Sequence, residues 1–323
     1  MNFDLRNKLP KEFLNYKIEK IKIEASKKLL FRLSKGSKSF IFIDFSNYID
    51  EYENYINVHS ILSKIDISVP SIIEKNNQYK VLVSEDLGKL RYDKILDDYS
   101  LGDLLKNAVK TLTTIKNSIE FNSSFNLHQY KLSTFISEIS EMIDYYLPYS
   151  ELPFLEDLKK DFYNTWLESY REHDFDFTNF VHKDFNINNL IHIPTRKHHL
   201  KCGIIDFQSA FWGESCWDLF SLLEDSRIYF DDQFNEYFME YYYINTNQQV
   251  TLEDFKSKYY FLNCSRQTRL LGRWVKLSKE LNQKWYLKFI PITYRRLQGS
   301  LIKLNNKKLL KLYSKIFPEI NND

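Results

Sequence analysis

The chain runs to 323 residues, long enough to bury a substantial core and to divide into two domains or lobes. Its 45 Lys and Arg against 43 Asp and Glu leave a formal net charge of +2, a balance that argues against a nucleic-acid partner and requires any attraction for phosphate to be local. Three scattered cysteines, Cys202, Cys216 and Cys264, form no C-x-x-C pair, which excludes a disulfide framework and structural zinc and points to a reducing compartment. Residues 1–13 carry charge where a signal peptide needs an apolar run, and no later stretch is apolar for long enough to span a bilayer. A soluble, cytoplasmic protein with no membrane partner is expected.

The first elements read as strands. Lys17 to Glu24, Leu29 to Leu33 and Phe40 to Phe45 alternate or run apolar over strand lengths, with Ser34-Lys35-Gly36-Ser37 as a hairpin turn, so an antiparallel sheet is predicted. Residues 50–65 then place Tyr55, Val58, Ile61 and Leu62 at helical spacing. Tyr79 to Val83 returns to strand before the connector Ser84-Glu85-Asp86-Leu87-Gly88. Beyond Gly88 the pattern is helical: Leu132, Phe135, Ile139, Ile143 and Tyr146 mark one buried face of a helix ending at Pro148, and 155–172 supply another. Leu190 to Ile193 and Cys202 to Ile205 read as two short strands joined by the polar turn 194–199, and from Trp217 onward helices dominate, interrupted at 245–249 and at Pro291. The order predicts an α+β, bilobal fold: a small antiparallel-sheet N-lobe over 1–88 and a larger helical C-lobe over 89–323.

The chemistry is concentrated around that hairpin. His182, Asp184 and Asn189 stand in the spacing H-x-D-x-x-x-x-N, and Asp206-Phe207-Gln208 follows the second strand. Phosphoryl transfer needs a carboxylate to orient and deprotonate the attacking hydroxyl, oxygen ligands for Mg²⁺, and a rigid frame for both. Asp184 supplies the base, while Asn189 and Asp206 are oxygen donors of the kind a hard cation prefers. Either half alone is an ordinary turn or strand end; in order, with a hairpin between, they predict a protein-kinase-like site that uses ATP and Mg²⁺. His182 reads as a support of the catalytic loop, since Asp184 already fills the base role, and Asp218 reads as a second support from the start of a helix. ATP is expected in the cleft between the lobes.

These residues resemble the aminoglycoside phosphotransferase and choline kinase superfamily, and within it the bacterial anomeric kinases of N-acetylmuramate and N-acetylglucosamine. Val181-His182-Lys183-Asp184-Phe185-Asn186-Ile187-Asn188-Asn189-Leu190 is similar to the family's V-H-R-D-Y-H-S-x-N-L. Gly203, Asp206-Phe207-Gln208-Ser209-Ala210, Gly213, Trp217-Asp218-Leu219 and Ser221-Leu222-Leu223-Glu224-Asp225 follow its metal segment, with Gln208 and Asp225 in the parts that distinguish this group. Ala25-Ser26 with Phe31-Arg32-Leu33 is similar to its nucleotide-loop text A-S-x-R-x-Y-x-R-L, and Val83 to Gly88 to its L-L-x-E-D-L-G connector. The resemblance therefore implies nucleotide contacts at Ala25, Ser26, Arg32, Glu85 and Leu87, and substrate contacts at Gln208 and Asp225. Arg266 and Arg269 fall on a later family motif and become candidates for substrate or phosphate. Their helical neighbours Arg273 and Lys276 are expected as surface charges, and Glu138 is a candidate for sugar hydroxyls. The implied reaction moves the γ-phosphoryl of ATP to the anomeric hydroxyl of an N-acetylated amino sugar, a small-molecule sugar substrate used in cell-wall recycling.

The chain departs from the family pattern at Lys183 for Arg, Asn186 for the second His and Ser265 for Gln. Phe40-Ile41-Phe42-Ile43-Asp44 holds no lysine of the kind many kinases aim at nucleotide phosphates, which leaves Arg32 or Lys38 to compensate, and the loop 24–28 contains no glycine. Two alternatives stay open: the same chemistry on an aminoglycoside, choline-like or other small alcohol, and a non-catalytic ATP-binding pseudokinase module.

Overall fold

The computed structural model describes residues 7–21, 28–150, 156–228 and 232–317; the candidates Ala25 and Ser26 lie outside them. In chain order the strands are β1 (Lys17–Ile21), β2 (Leu29–Lys35), β3 (Lys38–Asp44), β4 (Ile72–Asn76), β5 (Val81–Glu85), β6 (Asn179–Val181), β7 (Leu190–His192), β8 (Cys202–Ile204) and β9 (Phe211–Gly213). The main helices are α1 (Ile49–Leu62), α2 (Leu101–Ser118), α3 (Leu132–Glu141), α4 (Glu156–Tyr170), α5 (Trp217–Leu223), α6 (Asp232–Ile244), α7 (Leu252–Glu280), α8 (Ile290–Leu304) and α9 (Lys307–Ile316). The chain divides into two compact units, Met1–Leu127 with His182–Ala210, and His128–Val181 with Phe211–Asp323.

In the first unit the expected antiparallel sheet forms with strand order β1-β2-β3-β5-β4. Cross-strand partners share a face, so Phe31, Leu33, Phe40, Phe42 and Val83 all point one way, where Leu9, Phe13 and Val81 complete a core. The opposite face carries Leu30, Arg32, Ile41, Ile43, Leu82 and Ser84. Gly36, at φ +58, closes the β2–β3 turn in a backbone region that strains any other residue. The strand expected over 79–83 is shifted to Val81–Glu85 because Lys80 adopts φ +53 in the turn from β4, a strand that the polar text Glu74-Lys75-Asn76 conceals. Helix α1 buries Tyr52, Tyr55, Val58, Ile61 and Leu62, and its Tyr52 and Tyr55 rings meet Phe45 at 6.0 and 5.7 Å.

The β7–β8 hairpin belongs to this same unit, and the reason is visible in its hydrogen bonds. Ile204 N–H donates to the Ser68 carbonyl at 2.8 Å, and His192 N–H to the Leu90 carbonyl at 2.7 Å. Gly203 admits the connector closely, since a Cβ there would stand 2.7 Å from the Leu87 δ-methyl and 2.9 Å from that of Ile193. The unit division therefore does not coincide with the boundary expected at Gly88.

In the second unit α7 runs for 29 residues with Phe261, Leu262, Leu271 and Val275 fully buried. Phe261 packs on Phe135 of α3 and Trp166 of α4 with ring centroids 5.9 and 5.5 Å apart. The helix expected to run to Pro148 stays α-helical only to Glu141 and continues as a π-helical turn over Met142–Tyr146. That widening falls where α7 comes nearest: a Cβ on Gly272 would lie 2.0 Å from the Glu141 carbonyl oxygen, so only glycine fits. Pro291, expected as an interruption, instead occupies the first turn of α8, where its missing N–H costs nothing.

Candidate active site

The loop that carries Asp184 is tied to the backbone of Ile205. Its N–H donates to the Asn189 carbonyl at 3.1 Å, and its own carbonyl lies 3.1 Å from His182 Nε2. Asn189 Nδ2 in turn donates to the Asp184 carbonyl at 2.9 Å, which also accepts the Asn186 N–H at 2.9 Å. His182, Asp184, Asn189 and the residue preceding Asp206 thus share one hydrogen-bonded frame. His182 is fully buried. Burial pulls its imidazole below the ordinary value of 6.5 despite the opposing charges of Asp184 and Asp206, so both carboxylates act on one ring.

Asp206 takes φ +67, a left-handed conformation that turns its side chain out of the strand direction. Phe207 behind it is fully buried and packs on Tyr55 of α1 at 4.6 Å. Gln208 Nε2 donates to Asp206 Oδ1 at 3.0 Å. The same carboxylate oxygen receives the ammonium of Lys28, a residue absent from the sequence-based candidates. Lys28 sits one position before β2 with its side chain 4% exposed, against 32% for Asp206. Burial pushes the Asp206 carboxyl up, but Lys28, Gln208 and His182 outweigh it and hold the group below the usual carboxylate value.

The donor set fits a hard divalent cation. With Asn189 Nδ2 committed to the Asp184 carbonyl, Asn189 Oδ1 has no partner among the described residues and stands free to ligate beside the Asp206 carboxylate. Gln208 Oε1 is buried and unsatisfied, an orphan that a ligand hydroxyl or ordered water would complete. Among the described residues no cluster of three His, Cys, Asp or Glu cages an ion. Mg²⁺ commonly takes only one or two protein ligands and completes its shell with phosphate oxygens and water.

The connector is held rigid from one side. Arg32 makes two hydrogen bonds to Asp86, at 2.6 and 3.1 Å, and a third to the Gly88 carbonyl, while Ser39 donates to the same carboxylate at 2.5 Å. Arg32 is therefore committed to the connector. Lys38 lies at the hairpin end of β2–β3, paired in register with Lys35, seven residues along β2 from Lys28 and so roughly 20 Å from it at the usual strand rise. Glu85 is engaged by Arg196 at 2.7 Å and by Ser71. Leu87 differs: neither its N–H nor its carbonyl has a partner among the described residues, which leaves a fixed donor–acceptor edge.

The remaining candidates fall in the second unit. Glu138 and Arg269 meet each other at 2.8 Å, and Tyr130 OH donates to Glu138 at 2.8 Å. Arg273 and Lys276, expected as surface charges, pair with Glu141 at 2.7 and 3.7 Å. The basic stripe of α7 is thus answered by acids one helical turn apart on α3. Asp225 is buried and bonded to Arg227 at 3.1 Å, Arg266 is buried against the Glu224 carbonyl, and Asp218 is buried on α5.

Because His182 is buried neutral, the unfolded chain binds its proton more readily, so folding stability falls as pH drops below 6.5 toward the lowered native value. Chemical denaturation at pH 7.5 and 5.5 should show a larger loss for the native chain than for His182→Asn, and equal losses would remove this contribution.

The chain matches the phosphotransferase enzyme family over residues 18–251, a span that contains His182, Asp184, Asn189 and Asp206. It is 23% identical over 234 residues to the N-acetylmuramate/N-acetylglucosamine kinase of Caulobacter vibrioides, in a match covering 70% of this chain and 64%, under two thirds, of that protein. Among solved structures it is similar to ADP-bound aminoglycoside phosphotransferase APH(2'')-Ib, with TM-score 0.62 and 14% identity over 94% of this chain and 99% of that one. It is also similar to a choline/ethanolamine kinase family protein of Mesorhizobium loti, with TM-score 0.63 and 11% identity over 97% and 98% of the two chains. At such identities the likeness carries the fold, an α+β, protein-kinase-like one as expected. The chain belongs to the phosphotransferase enzyme family.

Proposed function

We propose that the protein is an ATP-dependent sugar kinase that phosphorylates the anomeric hydroxyl of N-acetylmuramate or N-acetylglucosamine, in cell-wall recycling. The observation that carries the phosphoryl-transfer part is the hydrogen-bonded frame that ties Asp184 and Asn189 to the residue before Asp206. The acceptor rests on the Caulobacter relative and on the motif text around Gln208 and Asp225.

Asp184 takes the proton of the acceptor hydroxyl as its oxygen bonds to the γ-phosphorus, and the bridging oxygen leaves with the bonding pair on ADP. Asp206 and Asn189 Oδ1 would hold Mg²⁺, which supplies charge neutralisation at the phosphates when bound. His182 keeps the loop in place through Ile205, and Leu87 offers its unpaired N–H and carbonyl to the nucleobase edge. Exclusion of water around Phe207 and the buried Gln208 strengthens these charge interactions.

Phosphorus and proton NMR of the product formed from ATP and a panel of amino sugars, aminoglycosides and choline tests the reading. A sugar 1-phosphate is expected. Phosphate on the 6-hydroxyl would refute the regiochemistry, transfer to an aminoglycoside or choline would replace the acceptor, and nucleotide binding without turnover would favour the non-catalytic alternative.

A further inference from the structure

Resting on the kinase reading above, we infer that Lys28 is the nucleotide-phosphate lysine of this protein, delivered from the start of β2 in place of a lysine on β3, and that it leaves Asp206 for the phosphates when nucleotide binds.

The sheet face that bears Arg32 is lined on β3 by Ile41 and Ile43 and on β5 by Leu82 and Ser84, so these two central strands put no cation there; Lys17 and Lys75 share the face but stand on the edge strands β1 and β4. Arg32 is fixed on Asp86 and Gly88, and Lys38 is at the far end of the hairpin. Lys28 continues the alternation of Arg32 and Leu30 two residues further back, which turns it toward this face, and its ammonium ends on Asp206. Of Arg32, Lys38 and Lys28, the last alone reaches the metal-side carboxylate.

A purely structural role accounts poorly for this placement. A lysine 4% exposed has lost most of its hydration, and a buried ion pair recovers little beyond that loss, so an apolar residue would serve packing as well. In protein kinases the phosphate lysine is held by a carboxylate of the helix after β3. Here Glu53 of α1 is taken by Lys80, and Lys28 has Asp206 as its ionic partner among the described residues. The Phe45 ring also lies 5.7 Å from the ammonium. The pair therefore keeps Asp206 neutralised in the nucleotide-free protein. Arrival of Mg²⁺-loaded nucleotide replaces Lys28 at the carboxylate and presents phosphate oxygens to the released ammonium, a compact point charge suited to them.

The test uses the full chain and an ATP-derived acyl phosphate, whose acyl group passes to a lysine amine at the phosphate site with loss of the nucleotide. Peptide mass spectrometry should find the acyl group on Lys28, blocked by excess ATP. Calorimetry with Mg²⁺-ATP should show Lys28→Met weakening binding at least tenfold, and Lys28→Arg recovering part of that loss. Wild-type protein that binds ATP but leaves Lys28 unlabelled, or a folded Lys28→Met chain with unchanged affinity, overturns the inference and leaves the kinase reading standing. Wild-type protein that binds no nucleotide overturns both.

Discussion

Replacing Asp184 by Asn should lower kcat by roughly a hundredfold to ten-thousandfold, the range expected when a general base is removed. The fold should survive, because the structural work at this position is done by the Asp184 carbonyl, which accepts from Asn189 Nδ2 and the Asn186 N–H, and Asn keeps that carbonyl. The amide retains the shape of the carboxylate but cannot take a proton at neutral pH, so KM should move much less than kcat. Steady-state kinetics beside a thermal midpoint would check both parts. A variant within a fewfold of native kcat would remove Asp184 from the base role.

Asp206→Asn should abolish measurable transfer and destabilise the chain, for two separable reasons. Activity goes because the anionic ligand expected to hold Mg²⁺ is lost. Stability goes because Lys28, at 4% exposure, is left as a buried cation without its counter-charge. Breaking a fully buried pair costs about 3–5 kcal/mol, and the partial exposure of Asp206 should bring the figure here down to about 2 kcal/mol. The double variant Lys28→Met with Asp206→Asn removes the stranded charge, so denaturation should show it more stable than Asp206→Asn alone while still inactive. Stability unchanged in all three chains would mean that the ion pair does not form in solution.

The part of the site that could be read in the sequence is the part built from neighbours along the chain. His182, Asp184 and Asn189 lie within eight positions, and the hairpin that returns Asp206 to them is short and strongly apolar, so spacing alone anticipates the frame. Lys28 lies 178 positions from Asp206 and outside β3, so no spacing within the motif brings the two together. Two local signals pointed to it. It alternates with Leu30 and Arg32 on one strand face, and it stands where the family text A-S-x-R-x-Y-x-R-L has its first arginine.

Elsewhere the limits were also long-range. The stripe Arg269, Arg273 and Lys276 looks like a solvated face until α3 sets Glu138 and Glu141 against it, a pairing that no spacing within α7 reveals. The fate of Arg32 likewise depends on Asp86, 54 positions away. The division of the chain into units follows hydrogen bonds from Ser68 and Leu90 to the β7–β8 hairpin, which connect segments more than a hundred positions apart in sequence. Helix and strand existence was legible from periodicity; the partners of individual charges were not.

The central claim is that Asp184 and the Asp206 pole form one phosphoryl-transfer site. ADP release measured with ATP, Mg²⁺ and an N-acetylated amino sugar, in parallel for the native chain and Asp184→Asn, tests it most directly. The account predicts release that depends on both metal and acceptor and falls at least a hundredfold in the variant. Acceptor-dependent release that is undiminished in Asp184→Asn would contradict it.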